Sequence, residues 1–489
     1  MATDPTSANP TIAGPSHPEP MSTGPMSRGS GGSTGPGPRD RGPRICLIGA
    51  GGMSFGPVMV LDAIKTRRTR GATLVLHDIN AERLEVALRF ADRINERNDC
   101  PITVEASTDP QEAMAGADFC LTSAEVGRWP RWIEDYEIPR RYGATQITGE
   151  NGGPGAVFHS LRSIRTMLGI CADIERYCPD AFLINLTNPL SRVALAINTA
   201  TSVRNVSMCH EFAGGLARIA GLLRIPKSKI EAKASGINHF TFFTEIRRSD
   251  TGEDLYPRLR RIWRRRYFDY PAPVTAAARQ LVKVPLVQVA VEQMCAPLVS
   301  HMFREYGLLP CSVDSHIGEY VPFAEEVAGW HPVPVYFHQG IGHQVEGLIT
   351  RYGNGRSRVP MHRAGRSPEE VFPIIEAMWT DHQRSLNAVN MPNRGYVPNL
   401  PDGAIVEVPA TVDGKGITPT DMPAILEPLA EFMRTQIELQ ELVVRSALTG
   451  DPEPAFEALR RDPLSPPDEA SCRTIFDELM SVQAEALPF

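Results

Sequence analysis

Arg44-Ile-Cys-Leu-Ile-Gly-Ala-Gly-Gly-Met-Ser-Phe-Gly56 is the stretch whose reading decides the fold. Arg44 to Ile48 reads as a short buried strand. Gly49, Gly51 and Gly52 form a turn in which a backbone without side chains can approach a pyrophosphate. The apolar-periodic run Val58 to Ile64 predicts a helix, whose N-terminus favours that negative charge. Thr73 to Asp78 predicts a second strand ending in an acid, placed to accept hydrogen bonds from ribose hydroxyls. An acid there also favours NAD over NADP, because it would repel a 2′-phosphate. Gly56 lies further along than a GxGxxG pattern requires. The bland alternative is a glycine-rich strand–helix turn in which Asp78 caps the next helix. The order strand, turn, helix, strand, acid favours the nucleotide reading.

Working outward, helices are predicted from Ala81 to about Asn98 and from Phe158 to about Tyr177, with strands over Ala117–Thr122 and Ala181–Leu186. Strands alternating with helices indicate α/β architecture with a Rossmann-like parallel sheet. Beyond residue 200 the pattern becomes mixed α+β. A strand ends at Met208, a helix follows from Gly214, and Ala232 to Arg247 alternates around Asn238-His239. Val284 to Tyr306 is a helical candidate. Pro428 to Leu448 predicts an amphipathic helix with Leu429, Met433, Ile437, Val444 and Leu448 on one face. His331 to Arg366, with several glycines and prolines, predicts a loop excursion. The expected organisation is a disordered extension over 1–43, rich in Gly, Pro, Ser and Thr, a nucleotide-binding domain over 44–205, and a metal- and substrate-binding α+β domain over 206–489.

The chain has 489 residues, enough for two packed lobes, with 42% hydrophobic and 22% charged residues, as in ordinary globular enzymes. A net charge of −7 gives no footprint for nucleic acid. No run of about 18 apolar residues predicts a membrane span. The nine cysteines are dispersed without a CxxC pair, and the N-terminus lacks an apolar signal core; both point to a reduced, cytoplasmic protein.

The chemistry-bearing residues follow predicted strands. Asn188-Pro189 follows the strand ending at Leu186, Cys209-His210 ends the next, and His239 follows Asn238 after another. Strand C-termini of an open α/β sheet converge on the ligand crevice. A thiolate and an imidazole can hold a divalent ion while leaving positions open for substrate oxygens. Softness favours Zn, and open positions filled by hydroxyls also suit Mn. Taken singly, Cys209 reads as a buried thiol and His239 as a core histidine; their joint placement carries the metal reading. A dinucleotide beside such a site implies redox chemistry on a metal-held alcohol.

Ile48-Gly-Ala-Gly-Gly-Met-Ser-Phe55, Leu76-His-Asp-Ile79, Gly149-Glu-Asn-Gly-Gly-Pro-Gly155, Thr187-Asn-Pro189, Met208-Cys-His210 and Gly236-Ile-Asn-His239 together resemble glycoside hydrolase family 4. So do Tyr306-Gly307, Asp314-Ser-His-Ile-Gly-Glu-Tyr320, Asn399-Leu-Pro401 and Val406-Glu-Val-Pro409, in order along the chain from Arg44. The resemblance implies an NAD- and Mn-dependent glycosidase on a fold like that of lactate and malate dehydrogenases, outside the usual two-carboxylate mechanism. It implies Cys209 and His239 as metal ligands and Gly49, Gly51, Gly52, Ser54, Phe55, Asp78 and Glu150 around NAD. Asn151, Asn188, Asn238 and Arg304 would face the substrate. The implied reaction oxidises sugar C3, which acidifies C2–H; a base removes that proton, an acid protonates the leaving oxygen, and water and hydride then return. His210 is the candidate acid. Phospho-sugar members usually carry Asp at that position, so His points to an unphosphorylated α-hexoside or α-uronide. Candidates for the base are Tyr306, Tyr320, His316 and Glu292. Phe242 or Phe243 replaces the family's usual Trp, and Ala156 a common Gly, which bears on substrate more than on mechanism. A homodimer or homotetramer is the implied assembly.

Two other readings share these residues. A simple 2-hydroxy-acid dehydrogenase would need no thiolate ligand, and a non-catalytic NAD-binding protein would leave Cys209 and His239 without work. The basic run Arg258, Arg260, Arg261, Arg264, Arg265, Arg266 is read first as a solvated helix face.

Overall fold

The computed structural model describes residues 41–489 except 53–54, 70, 100, 267–295, 329–334 and 368. The first 40 residues, Ser54, Glu292 and the 284–295 part of the Val284–Tyr306 helix candidate therefore lie outside the described residues. Arg41 to Pro43, counted above with the extension, are held in place: Arg41 pairs with Asp118 at 2.7 Å, and the Pro43 carbonyl accepts from Thr73 N.

One sheet runs through the whole of 41–489. Its strands are β1 (Arg44–Ile48), β2 (Thr73–His77), β3 (Thr103–Ser107), β4 (Phe119–Thr122), β5 (Phe182–Asn185), β6 (Asn205–Ser207), β7 (Ile230–Ile237), β8 (Phe240–Arg248), β9 (Arg384–Pro392), β10 (Ile405–Asp413) and β11 (Gly416–Pro419). The spatial order is β3-β2-β1-β4-β5-β6-β9-β10-β7-β8, with β11 beside β10. The first six strands pair in parallel. This is the doubly wound order of dinucleotide-binding sheets, with the switch point between β1 and β4. At β6 the pairing turns antiparallel, Ser207 meeting Asn390 of β9, and the remaining strands extend the sheet as hairpins and meanders. The strands on either side of residue 205 thus share hydrogen bonds.

Apart from the edge strand β3, whose residues are exposed or half-buried, the parallel strands are largely buried on both faces, so their side chains feed two cores. One contains Ile45, Leu47, Leu74 and Leu76 with Phe372 and Ile375; the other contains Cys46, Val75 and Leu183 with Phe158, Leu161 and Phe476. A third core lies around Phe240, Phe242, Phe243 and Trp263 under the antiparallel half. The helix Glu427–Thr449 joins cores: Leu429, Met433 and Ile437 enter the third, and Leu439, Val443 and Val444 the second. Four of its five predicted apolar residues are buried; Leu448, one residue before the end, is 37% exposed.

Two expectations require correction. His331 to Arg366 is not a loop excursion, because Val335–Gly353 is helical. Two of its glycines serve close packing rather than turns: a Cβ on Gly342 would lie 2.5 Å from Trp129 Cζ2, and one on Gly353 3.2 Å from Phe90 N. The helix after β6 begins at Glu211, three residues before Gly214, which brings an acidic side chain into its first turn.

Candidate active site

At the end of β1 the amides of Gly49 and Ala50 donate to the His77 carbonyl, drawing the glycine turn onto the end of β2. There Asp78 accepts from Gly51 N through Oδ2 and from Asn80 N through Oδ1, each at 2.8 Å. A Cβ on Gly51 would lie 2.7 Å from both Asp78 Oδ2 and Arg83 Cβ, so this turn tolerates no side chain. Asp78 does not cap the following helix; Asn80 does, accepting from Arg83 N at 3.0 Å. Carboxylate oxygens with a second lone pair remain at Asp78 for ribose hydroxyls. The turn, the helix Gly56–Lys65 and this acid fit a dinucleotide. Phe55 immediately precedes that helix, its ring 6.1 Å from that of His210.

The neighbouring strand ends are tied by buried polar bonds. Thr122 Oγ1 donates to Asn185 Oδ1 (3.1 Å), Asn185 Nδ2 to Ser207 Oγ (3.0 Å), and Thr187 N to Asn185 Oδ1 (3.0 Å). This chain fixes the backbone that carries Asn188 and Cys209. Across the sheet, β10 puts Glu407 opposite Gly236, just before the two-residue turn Asn238-His239 that joins β7 to β8. Glu407 accepts from Asn238 Nδ2 (3.2 Å) and Asn390 Nδ2 (2.9 Å), and the Asn238 carbonyl accepts from the Tyr320 hydroxyl (2.9 Å). His239 is held there at φ +66°, a left-handed conformation that costs a non-glycine residue on the order of 1–3 kcal/mol.

The result is a compact set of donors. One ligand atom each from Cys209, Glu211 and His239 lie within 4.8 Å of one another, as do one each from Glu150, His239 and His316. His239 Nε2 is 3.9 Å from Glu211 Oε1. Glu211 accepts from Ser312 Oγ (2.5 Å) and from His316 Nδ1, and the His316 ring stacks on that of His239 with centroids 4.2 Å apart. Enclosure would raise the Glu211 pKa, but the two histidines and these hydrogen bonds outweigh it and bring it to about 2. Burial works against a charge on His316, yet Glu211, Glu150 and Glu319 lift it to about 10. Burial holds the His239 pKa down at about 3, against the pull of Glu211. Enclosure, with Glu211 and Glu407 nearby, pushes the Cys209 thiol well above its ordinary value, so its thiolate calls for a cation. The donor set suits a divalent metal.

A loop covers this floor. Glu319, fully buried, accepts from Thr148 Oγ1, Glu150 N (2.8 Å) and Asn151 N (3.0 Å). Glu150 in turn accepts from Asn188 Nδ2 (2.9 Å), and the Asn151 amide nitrogen lies 3.2 Å from His239 Nδ1, a group that can turn over to present its oxygen instead. With the amide oxygen toward Nδ1–H, that contact leaves Nε2 as the ligating nitrogen. Burial first, then Glu319 and Glu125, raises the Glu150 pKa to about 7 against His316 and Asn188.

Gly49, Gly51, Gly52, Phe55 and Asp78 thus gather at one crevice, and Glu150, Asn151, Asn188, Cys209, His239 and His316 at the neighbouring strand ends. Asn151 and Asn238 hold His239 and its turn. His210, half-exposed, has Nδ1 3.4 Å from buried Glu369. Arg304 is exposed in the last turn of the helix Pro297–Tyr306. Tyr306 packs on the third core and has no hydrogen bond among the described residues. In the basic run, Arg260, Arg261 and Arg264 are exposed while Leu259 and Trp263 of the same helix are buried, which agrees with a solvated face. Glu211, Glu319, Glu369 and Glu407 were not singled out from sequence; Glu211, Glu319 and Glu407 lie within or beside quoted motifs, but their partners are 105, 169 and 169 positions away. Among the described residues no helix is long and apolar enough to cross a membrane.

Residues 44–225 match the Family 4 glycosyl hydrolase domain, and residues 234–465 match the Family 4 glycosyl hydrolase C-terminal domain. The chain belongs to family 4 of the glycosyl hydrolases. An alpha-glucosidase of Erwinia rhapontici is 33% identical over 457 residues, covering 90% of this chain and 96% of that protein. An alpha-galactosidase of Bacillus subtilis (strain 168) is 26% identical, covering 91% and 99%. The fold is shared with a solved 6-phospho-alpha-glucosidase from gut microorganisms in complex with NAD and Mn2+, at TM-score 0.78 and 22% identity, covering 92% of this chain and 99% of that one.

Proposed function

We propose that this family 4 enzyme hydrolyses unphosphorylated α-glycosides, hexosides or uronides, by transient oxidation at sugar C3, loss of the C2 proton and elimination of the leaving group. The enzyme is a glycosidase dependent on NAD and a divalent metal, with Mn2+ the expected ion. The observation that carries the reading is the meeting of Cys209, Glu211 and His239 beside the glycine turn, where a hydroxyl-bearing substrate reaches both. The alpha-glucosidase and alpha-galactosidase names of the relatives, and His210 where phospho-sugar members usually carry Asp, support an unphosphorylated substrate.

Gly49, Gly51, Gly52, Ser54, Phe55 and Asp78 would hold NAD, and Cys209 and His239 the cation. When bound, these groups supply a reversible hydride acceptor and a Lewis acid for the C2–C3 unit. Asn188 orients sugar hydroxyls and is itself braced by Glu150. His210 protonates the leaving oxygen. His316, charged through Glu211, serves as a cationic partner rather than as the base. A small cytoplasmic homo-oligomer, dimer or tetramer, completes the proposal.

One assay tests the reaction. With p-nitrophenyl α-glycosides, NAD and Mn2+ under reducing conditions, nitrophenol should appear with no net NADH, and solvent deuterium should enter the released sugar at C2. Stoichiometric NADH from 2-hydroxy acids, without nitrophenol, would replace this proposal by the dehydrogenase reading.

A further inference from the structure

We infer that Glu211 is a third protein ligand of the cation, beside Cys209 and His239; this rests on the metal reading just proposed. Glu211 opens the helix Glu211–Leu223, two residues after Cys209, and is buried. Two nitrogen or oxygen donors bound at about 2.1 Å to one ion can lie no more than about 4.2 Å apart. The 3.9 Å from Glu211 Oε1 to His239 Nε2 falls inside that limit. The Cys209 sulfur, within 4.8 Å of both, needs to close by only a few tenths of an ångström.

The surroundings favour this role. Both hydrogen bonds to Glu211, from Ser312 and His316, reach Oε1, and Oε2 carries none among the described residues. Ser312 and His316 thus anchor the carboxylate by Oε1, the oxygen that also lies 3.9 Å from His239 Nε2, and a turn of the carboxylate about that anchor would offer Oε2 to the ion, as outer groups orient metal ligands. The competing set, Glu150 with His239 and His316, would need His316 as a ligand, and that ring is already paired through Nδ1 with Glu211 and held cationic by its acidic neighbours. Charge points the same way. A thiolate and a carboxylate together neutralise a divalent ion in an enclosed site, whereas the two anions side by side without one would repel. A hard oxygen ligand also shifts preference from Zn2+ toward Mn2+.

The test is Mn2+ binding rather than turnover. The reduced full-length protein, stripped with chelator, is titrated with Mn2+ and free ion is followed by its electron paramagnetic resonance signal; NAD binding confirms folding. Glu211→Gln should weaken Mn2+ binding by at least about tenfold, toward the loss given by Cys209→Ser. His316→Ala should weaken it less than Cys209→Ser does, because the carboxylate remains although one of the groups that orient it is gone. If Cys209→Ser weakens binding and Glu211→Gln does not, the inference fails while the metal reading stands. If Cys209→Ser itself changes nothing, the metal reading fails. Should Glu211→Gln not fold, His316→Ala decides alone: a loss equal to that of Cys209→Ser would mean that Glu211 acts only through His316 and would overturn the proposal.

Discussion

Glu319→Gln removes one acceptor from the base of the covering loop. The Glu319 carboxylate takes three donors, two of them backbone amides that have no alternative partner: Glu150 N on Oε1 and Asn151 N on Oε2. The Thr148 hydroxyl, also on Oε1, can rotate and accept instead. A glutamine has one carbonyl oxygen, so in either amide orientation one backbone N–H faces an NH2 group. A buried hydrogen bond to a charged group contributes about 1.5–3 kcal/mol, so the loss should be near 2 kcal/mol. If that energy holds Glu150 against Asn188 and Asn151 against His239, it appears in turnover as about a 30-fold fall in kcat/KM. The assay is nitrophenol release at saturating NAD and Mn2+, with thermal unfolding in parallel. A variant within twofold of the natural enzyme, melting at the same temperature, would refute the anchoring role of Glu319.

Gly51→Ala should raise the KM for NAD about tenfold or more while leaving Mn2+ affinity unchanged, since its Cβ would lie 2.7 Å from Asp78 Oδ2, which is none of the candidate metal ligands. Phe158→Ala, which empties a fully buried position against Phe476 (centroids 5.3 Å apart), should cost about 3–5 kcal/mol in denaturant unfolding. Asp462 is buried, and desolvation raises its pKa from 3.8 to about 6 against the amides of Leu464 and Gly153 and the charge of Arg192. Between those values the folded chain keeps a proton that the unfolded chain has lost, so this group's contribution to stability falls as pH rises from about 4 to 6. The displacement corresponds to about 3 kcal/mol. Asp462→Asn should therefore gain stability relative to the natural chain between pH 4 and 7, measured by unfolding at each pH; a pH-independent difference would refute the shift.

The sequence by itself determined the nucleotide half. Its signals are local: a strand, a glycine turn, a helix and an acid follow one another within 35 residues, and each depends on periodicity or on backbone freedom that neighbouring residues fix. Cys209 and His239 were legible as candidate ligands because residue type and the ends of predicted strands named them, and the structure brings them together. Tertiary structure decided what surrounds them. The partners of Glu211, Glu319 and Glu407 come from segments brought together by the antiparallel extension of the sheet, and a buried carboxylate looks like any surface acid until its neighbours are known. The helix Val335–Gly353 was misread for the same reason: its glycines weaken local propensity, and only the closeness of Trp129 and Phe90 explains Gly342 and Gly353. Local order fixed the cofactor turn, whereas long-range pairing fixed which charged groups face one another in the site, because electrostatic energy in an enclosed crevice depends on distance in space and not on separation along the chain.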